Sequence, residues 1–219
     1  MESGEAVRIE RLIRHKKGRP GEEIEVLLSD ASSFFVALRS WQNRPFHEGD
    51  SLTASEVSSL RAESQRIAIR DHAMTLLARS DHSRFLLQRK LVLRGYESAI
   101  VDLVLGDLAG QGVLDDARFA ASWTRDRIRR HPEGRSAVIA GLRQRGVGRE
   151  TAEAVVGQVL TEEGFSPEDA VAKLAERFLR ARGATRSTVS AKLLRRGFPS
   201  SLVHRVVGEL TGDSTEIWD

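Results

Sequence analysis

Cysteine is absent from the 219 residues, which excludes disulfide cross-links and thiolate metal sites and fits a reducing compartment. Aromatic residues supply only 5% of the chain, so a core must rest mainly on aliphatic side chains. No stretch approaches the ~18 apolar residues that a membrane span needs. The opening segment MESGEAVRIERLIRHKKG lacks the apolar run of a signal peptide. These absences predict a soluble, cytoplasmic protein with no membrane partner. Glycine loops of the Walker or GxGxxG kind are missing, and the six His are scattered with no HExxH pair. Nucleotide cofactors, metal and catalysis therefore have no sequence support, and the expectation is a protein that is not an enzyme and carries no cofactor.

What the chain does have is a period. Gly95, Gly146 and Gly197 stand 51 residues apart, each preceded by arginine (Arg94, Arg145, Arg196) and followed by an apolar residue (Tyr96, Val147, Phe198). The same interval relates Leu91, Leu142 and Leu193, then Arg84, Arg135 and Arg186, then Val104, Val155 and Val206. So many coincidences at one offset mark a tandem repeat of one helical unit, an architecture that offers long surfaces rather than one deep pocket.

Around that period the chain divides readily. Residues 6–15, 22–29 and 33–38 read as strands of a small antiparallel meander, with Ile24, Val26 and Leu28 sharing one face of their strand and Phe34, Val36 and Leu38 doing likewise on theirs. Lys16–Gly21 and Ser29–Ser32 have turn chemistry. Thr53-Ala54-Ser55-Glu56 is a capping box that opens a helix. In the first repeat the helices are expected at Ile67–Arg79, Ser83–Arg94 and Ser98–Ala109; Ile100, Val101, Val104, Leu105 and Leu108 form one buried stripe on the third. Asp115-Asp116 opens the second repeat as a cap and dipole complement. Ser166-Pro167-Glu168-Asp169 opens the third. Gly95, Gly146 and Gly197 end the middle helices in the left-handed conformation, a structural role.

The fold class is therefore mainly α: three tandem three-helix, helix-turn-helix-like repeats behind a small antiparallel β segment. The expected domains are a β-rich extension with a linker helix (1–63), repeats at 64–114, 115–165 and 166–210, and a polar tail (211–219) in which Trp218 could dock. Three short helices bury little by themselves, so stacking of neighbours into an extended array is expected to complete the core.

Charge is uneven along this array. Residues 60–150 carry 17 basic against 11 acidic side chains and residues 170–210 carry 9 against 2, although the net charge is only +3. Of the basic residues 29 are Arg and 5 are Lys, and the planar guanidinium suits phosphate. A polyanion is the expected partner, with DNA or RNA the default. The contact candidates are Arg94, Arg145 and Arg196 at helix ends, where the helix dipole alone would also favour a cation. Arg84, Arg135 and Arg186 sit near helix starts, where the dipole gives a cation nothing, so contact or an internal ion pair must account for them. Arg125 and Arg129 share a face on the helix after Phe119 and Trp123, two residues one turn apart that read as core.

The segment Gly112-Val113-Leu114-Asp115-Asp116-Ala117-Arg118-Phe119-Ala120 follows Ser83-Arg84-Phe85-Leu86-Leu87-Gln88-Arg89-Lys90-Leu91-Val92-Leu93-Arg94-Gly95. Downstream come Gly134-Arg135 and Leu142-Arg143-Gln144-Arg145-Gly146-Val147. Together these segments resemble the RecX family, bacterial regulators of the RecA recombinase. The resemblance runs from about Ala68 to Leu210 and is looser in the third repeat, which keeps Lys192-Leu193-Leu194-Arg195-Arg196-Gly197. It implies a monomeric regulator that binds the RecA–single-stranded DNA filament within its groove. There it would block extension or promote disassembly and so restrain homologous recombination, DNA repair and the SOS response. Alone it would bind single-stranded DNA weakly and without sequence preference. The competing expectation is an autonomous helix-turn-helix DNA-binding protein such as a transcription regulator, which would recognise a duplex sequence without a recombinase. A helical scaffold that uses charge only for solubility would show no salt-sensitive DNA binding.

Overall fold

In the computed structural model, which describes residues 6–15 and 23–212, the alternating N-terminal segments pair as an antiparallel sheet. The Lys16–Gly21 turn and Trp218 lie outside the described residues. Strands β1 (Val7–His15), β2 (Glu23–Leu28), β3 (Ser33–Ala37) and β4 (Ser51–Leu52) stand in the order β3-β2-β1-β4. Ile24, Val26, Leu28, Phe34 and Val36 all bury on one face, as alternation requires. Two details differ from the sequence reading. Leu38 leaves the strand to begin a short helix, α1 (Leu38–Asn43), and Ser51–Leu52 adds a fourth strand against Val7 and Arg8. Two residues are too few to show a period, but Leu52 is buried and Ile9 exchanges backbone hydrogen bonds of 2.8 Å with Asp50 and Gly49.

The capping box at Thr53 and Glu56 forms with both reciprocal hydrogen bonds and starts α2 (Ala54–Leu77). This helix runs through the positions where a linker helix was expected to end and a new one to start at Ile67. Neither Gly nor Pro interrupts residues 54–77, so nothing breaks the hydrogen-bond ladder. Val57 and Leu60 bury with the sheet, whereas Ile69 and Ala73, further along the same helix, bury with the first helical repeat.

The remaining helices repeat one plan. After α2 come α3 (Arg84–Val92) and α4 (Ser98–Gly110). The second set is α5 (Asp116–Arg130), α6 (Arg135–Gln144) and α7 (Arg149–Glu162). The third is α8 (Pro167–Leu179), α9 (Arg186–Arg195) and α10 (Ser200–Thr211). Ser83, Asp115, Ser166 and Thr185 cap their helices through side-chain oxygens. Each middle helix closes on a glycine with φ of 92°, 82° and 77° at Gly95, Gly146 and Gly197. The glycine N–H donates to the carbonyl three residues back, and the N–H of Tyr96, Val147 or Phe198 donates to Leu91, Leu142 or Leu193. That paired closure turns the following apolar side chain back over the repeat.

The contacts divide the chain into two compact units between Leu114 and Asp115. The buried clusters correct the expectation that stacking completes a shared core. The first repeat's cluster draws only on α2, α3, α4 and Leu114; that of the third draws on α8, α9, α10 and Phe198. Each repeat has roughly the length at which small domains begin to bury enough surface by themselves.

Within the second unit, the start of α6 meets the end of α9. Gly134 N–H donates to the Arg196 carbonyl at 2.8 Å, and Ser136 Oγ donates to the Gly197 carbonyl at 2.8 Å. A Cβ on Gly134 would stand 1.9 Å from the Gly197 oxygen, a backbone atom that cannot swing away. Gly134→Ala is therefore expected to destabilise by about 1–3 kcal/mol, lowering Tm in thermal denaturation followed by circular dichroism. Gly146→Val should also lower Tm by forcing a β-branched residue into the left-handed region. An unchanged Tm for either variant would contradict its argument.

Candidate nucleic-acid interface

Helix α5 buries Phe119, Ala120, Thr124 and Ile128, which leaves its arginines on the other side. Asp115 accepts from the N–H groups of Ala117 and Arg118 as the N-cap, and Asp116 lies in the first turn. Helix α7 packs alongside, and its end carries Glu162 and Glu163. Arg125 pairs with Glu162 at 2.7 Å and with Glu163 at 3.3 Å, and Arg129 pairs with Glu163 at 2.9 Å. Arg127 grips Glu133 with two hydrogen bonds of 2.8 and 2.7 Å. Arg130 pairs with Asp126 at 2.7 Å. The basic run is therefore matched by carboxylates. The Gln158 amide, followed by Arg125, holds the Glu162 carboxyl below its usual range. Pairs this exposed are weak, so phosphate can compete for the same guanidinium groups.

Trp123 departs from the core role read for it. It is half-buried, with the Arg145 guanidinium 4.6 Å and that of Arg127 5.7 Å from its ring centre. Gly141 makes room for it: a Cβ there would lie 2.6 Å from the indole edge. Arg145 also donates Nη1 to the Gly141 carbonyl at 2.8 Å. Arg196 behaves similarly, donating Nη1 to the Pro132 carbonyl at 3.1 Å while lying 5.6 Å from the Phe178 ring centre. These two helix-end arginines have packing roles in their own unit. Arg94 is exposed beside His72 and Tyr96 in the first unit.

The arginines near helix starts show the repeat most directly. Arg84 Nη2 donates to the Asp102 carbonyl at 3.2 Å, and Arg135 Nη2 donates to the Glu153 carbonyl at 3.2 Å. Both carbonyls lie 18 residues on, in the third helix of the same repeat. Each guanidinium rests near a glycine of that helix, Gly106 at 4.0 Å and Gly157 at 3.6 Å from the Cβ position. Gly208 continues the series 51 residues later. The sequence reading overlooked this second glycine ladder, although its period was there to find. Arg186, half-buried at the head of α9, is likewise engaged. Arg84 and Arg135 nonetheless remain exposed.

The structure thus gathers Arg125 and Arg129 around Glu162 and Glu163, and Arg145 beside Trp123 and Arg127. Arg84 and Arg94 belong to the first unit. Among the described residues no three His, Asp or Glu side chains are grouped to hold a metal, and no helix is long and apolar enough to cross a membrane.

Comparison with known proteins gives a consistent set of matches. The family model described as "RecX, second three-helix domain" matches residues 115–156. Regulatory protein RecX of Treponema pallidum (strain Nichols) is 38% identical over 133 residues, 61% of this chain and 79% of that protein. Regulatory protein RecX of Chlorobaculum tepidum is 29% identical over 157 residues, 70% of this chain and 94% of that protein. A crystal structure of regulatory protein RecX aligns with a TM-score of 0.65 at 23% identity, covering 93% of this chain and 99% of its own. RecX from Lactobacillus salivarius aligns with a TM-score of 0.56 at 16% identity, covering 68% and 98%. At those identities the two structures testify to the fold.

Two outcomes follow from these pairings. Glu162→Gln combined with Glu163→Gln should release Arg125 and Arg129, so the plot of log affinity for oligo(dT) against log salt should steepen by about 0.7 per added phosphate contact. An unchanged slope would mean that these guanidinium groups do not reach phosphate. Burial first, and then the Arg94 charge, lowers the pKa of His72. The unfolded chain therefore takes up a proton that the folded chain refuses, and stability falls as pH drops below about 6.5. Melting curves from pH 7 to 5 should show that fall, and His72→Gln should flatten it; equal slopes would remove His72 from the account.

Proposed function

Because the chain belongs to the RecX family of regulatory proteins, we propose that it binds the filament formed by RecA recombinase on single-stranded DNA and lowers RecA recombinase and ATPase activity. It does this as a cytoplasmic monomer through binding alone, catalysing no reaction. By itself it binds single-stranded DNA weakly and without sequence preference.

The observation that supports this reading most is the matched setting of Arg84 and Arg135. In two successive repeats the guanidinium is tethered by a hydrogen bond of the same length to the same relative carbonyl, yet stays exposed. A tethered guanidinium is preorganised, so less side-chain freedom is lost when a further N–H meets phosphate. Repetition of that setting suits a ligand whose charges also repeat. Arg145 and Arg196, each near an aromatic ring, serve as flanking contacts in the second unit with Arg125, Arg129 and Arg186, and Arg94 serves as one in the first.

The test is RecA-catalysed, single-stranded-DNA-dependent ATP hydrolysis with less than one molecule of the protein per RecA monomer. Inhibition is expected, and no effect at any ratio would overturn the reading. Arg84→Ala combined with Arg135→Ala should raise the concentration needed for half-inhibition roughly tenfold, consistent with loss of two phosphate contacts, while helicity is unchanged. Normal inhibition by the double variant at moderate salt would remove those two residues from the interface.

A further inference from the structure

A cleft of about 550 Å³ opens in the first unit between β3, α2 and the turn after α3. Its volume falls within the range of sites for small organic ligands. Phe34, Phe35 and Tyr96 bring aromatic residues to the walls, and Arg61 and Arg94 bring two cations from different elements. Arg61 is already placed: its guanidinium lies 5.2 Å from the Phe34 ring centre and donates to the Ser33 carbonyl at 3.4 Å. Ser64 lines the cleft at 5% exposure, and its hydroxyl has no hydrogen-bond partner among the described residues. A buried hydroxyl left in that state is costly unless something satisfies it. The Gln65 amide and the His72–Tyr96 pair, joined at 3.2 Å, add donors and acceptors at the rim and floor.

Aromatic surface, two guanidinium groups and scattered neutral polar atoms together select a particular chemistry. A purely apolar ligand would strand the arginines, whereas inorganic phosphate would leave most of the cleft empty. A nucleotide uses every part: phosphate against guanidinium, a flat base against aromatic wall, and base edges against amide and hydroxyl. Glu23 at one margin keeps the site from being uniformly cationic, which disfavours a bare polyphosphate.

We propose that this cleft holds one unstacked nucleotide of a single DNA strand, with Arg61 and Arg94 on its phosphate and the Phe35 and Tyr96 walls on its base. The inference rests on the reading above that single-stranded DNA is part of the target, and it names where the first unit grips the strand. Free nucleotide shares this chemistry and is separated from strand by the test.

The probe is fluorescein-labelled dT20, with anisotropy read on the full-length protein at low salt. Arg61→Ala with Arg94→Ala removes the cations. Gln65→Trp, at an exposed helical position, fills the cleft and leaves its charge untouched. Each should weaken dT20 binding about tenfold, within the range for losing one stacked base with its phosphate, with circular dichroism and Tm close to wild type. A dT20 strand with abasic sites should bind the unaltered protein more weakly and be indifferent to Gln65→Trp. Wild-type affinity in both variants would overturn the proposal, as would equal binding of abasic and intact strands. If dTMP or ATP binds the unaltered protein in the micromolar range and Gln65→Trp abolishes that without touching dT20 binding, the strand assignment is overturned in favour of free nucleotide. RecA inhibition that persists while dT20 binding ignores both variants sinks this cleft and spares the regulatory reading. Cleft-dependent dT20 binding without any RecA effect does the reverse.

Discussion

Each helical repeat depends on reversing the chain within a few residues of the end of its middle helix. Gly95, Gly146 and Gly197 make that reversal in the left-handed region, where L-residues pay about 1–2 kcal/mol. At Gly95 a Cβ would meet nothing, so backbone conformation alone sets the requirement. At Gly197 a Cβ would also press on Ala137 at 2.6 Å, so conformation and close approach coincide. The reversal carries Val147 and Phe198 into burial and sends the third helix back across the first two. The carbonyls that accept the closing bonds belong to Leu91, Leu142 and Leu193, all fully buried.

Once the helices are closed, arginine becomes the surface's main organiser. Its long stem and planar head let one residue hold a carbonyl, cover an aromatic ring and still meet solvent, which lysine's point charge does less well. Arg145 does all three with Gly141 and Trp123. The carboxylates at the end of α7 bear on the same economy. They occupy Arg125 and Arg129 in exposed ion pairs, which hold the side chains in place at little gain in stability.

Much of this was legible from residues alone. Caps at Thr53, Asp115 and Ser166 and the three glycine closures were readable because they depend on side-chain chemistry within a few positions. The strands at Glu23–Leu28 and Ser33–Ala37 announced themselves by alternation. The period places a boundary inside α2, but a helix continues where no breaker or competing cap stops it, and neither Gly nor Pro occurs in residues 54–77. The Arg125–Glu162 and Arg129–Glu163 pairs join residues more than 30 positions apart, which no local pattern can disclose. Trp123 departs from its spacing for a related reason. Spacing put it on the core stripe, but only the packed helices show that its ring stands at the edge, where Gly141 leaves it space and guanidinium groups cover it.

The unbroken α2 has a geometric consequence for how the N-terminal sheet can diverge from its relatives. Val57 and Leu60 face one buried cluster, and Ile69 and Ala73 face another, along a single rigid rod. Adding or deleting one residue between Leu60 and Ile69 rotates one set against the other by about 100°. The length of that stretch is therefore phased like a gear. Substitutions along that stretch leave the phase unchanged, whereas insertions and deletions are admitted only in steps that restore a near-whole number of turns.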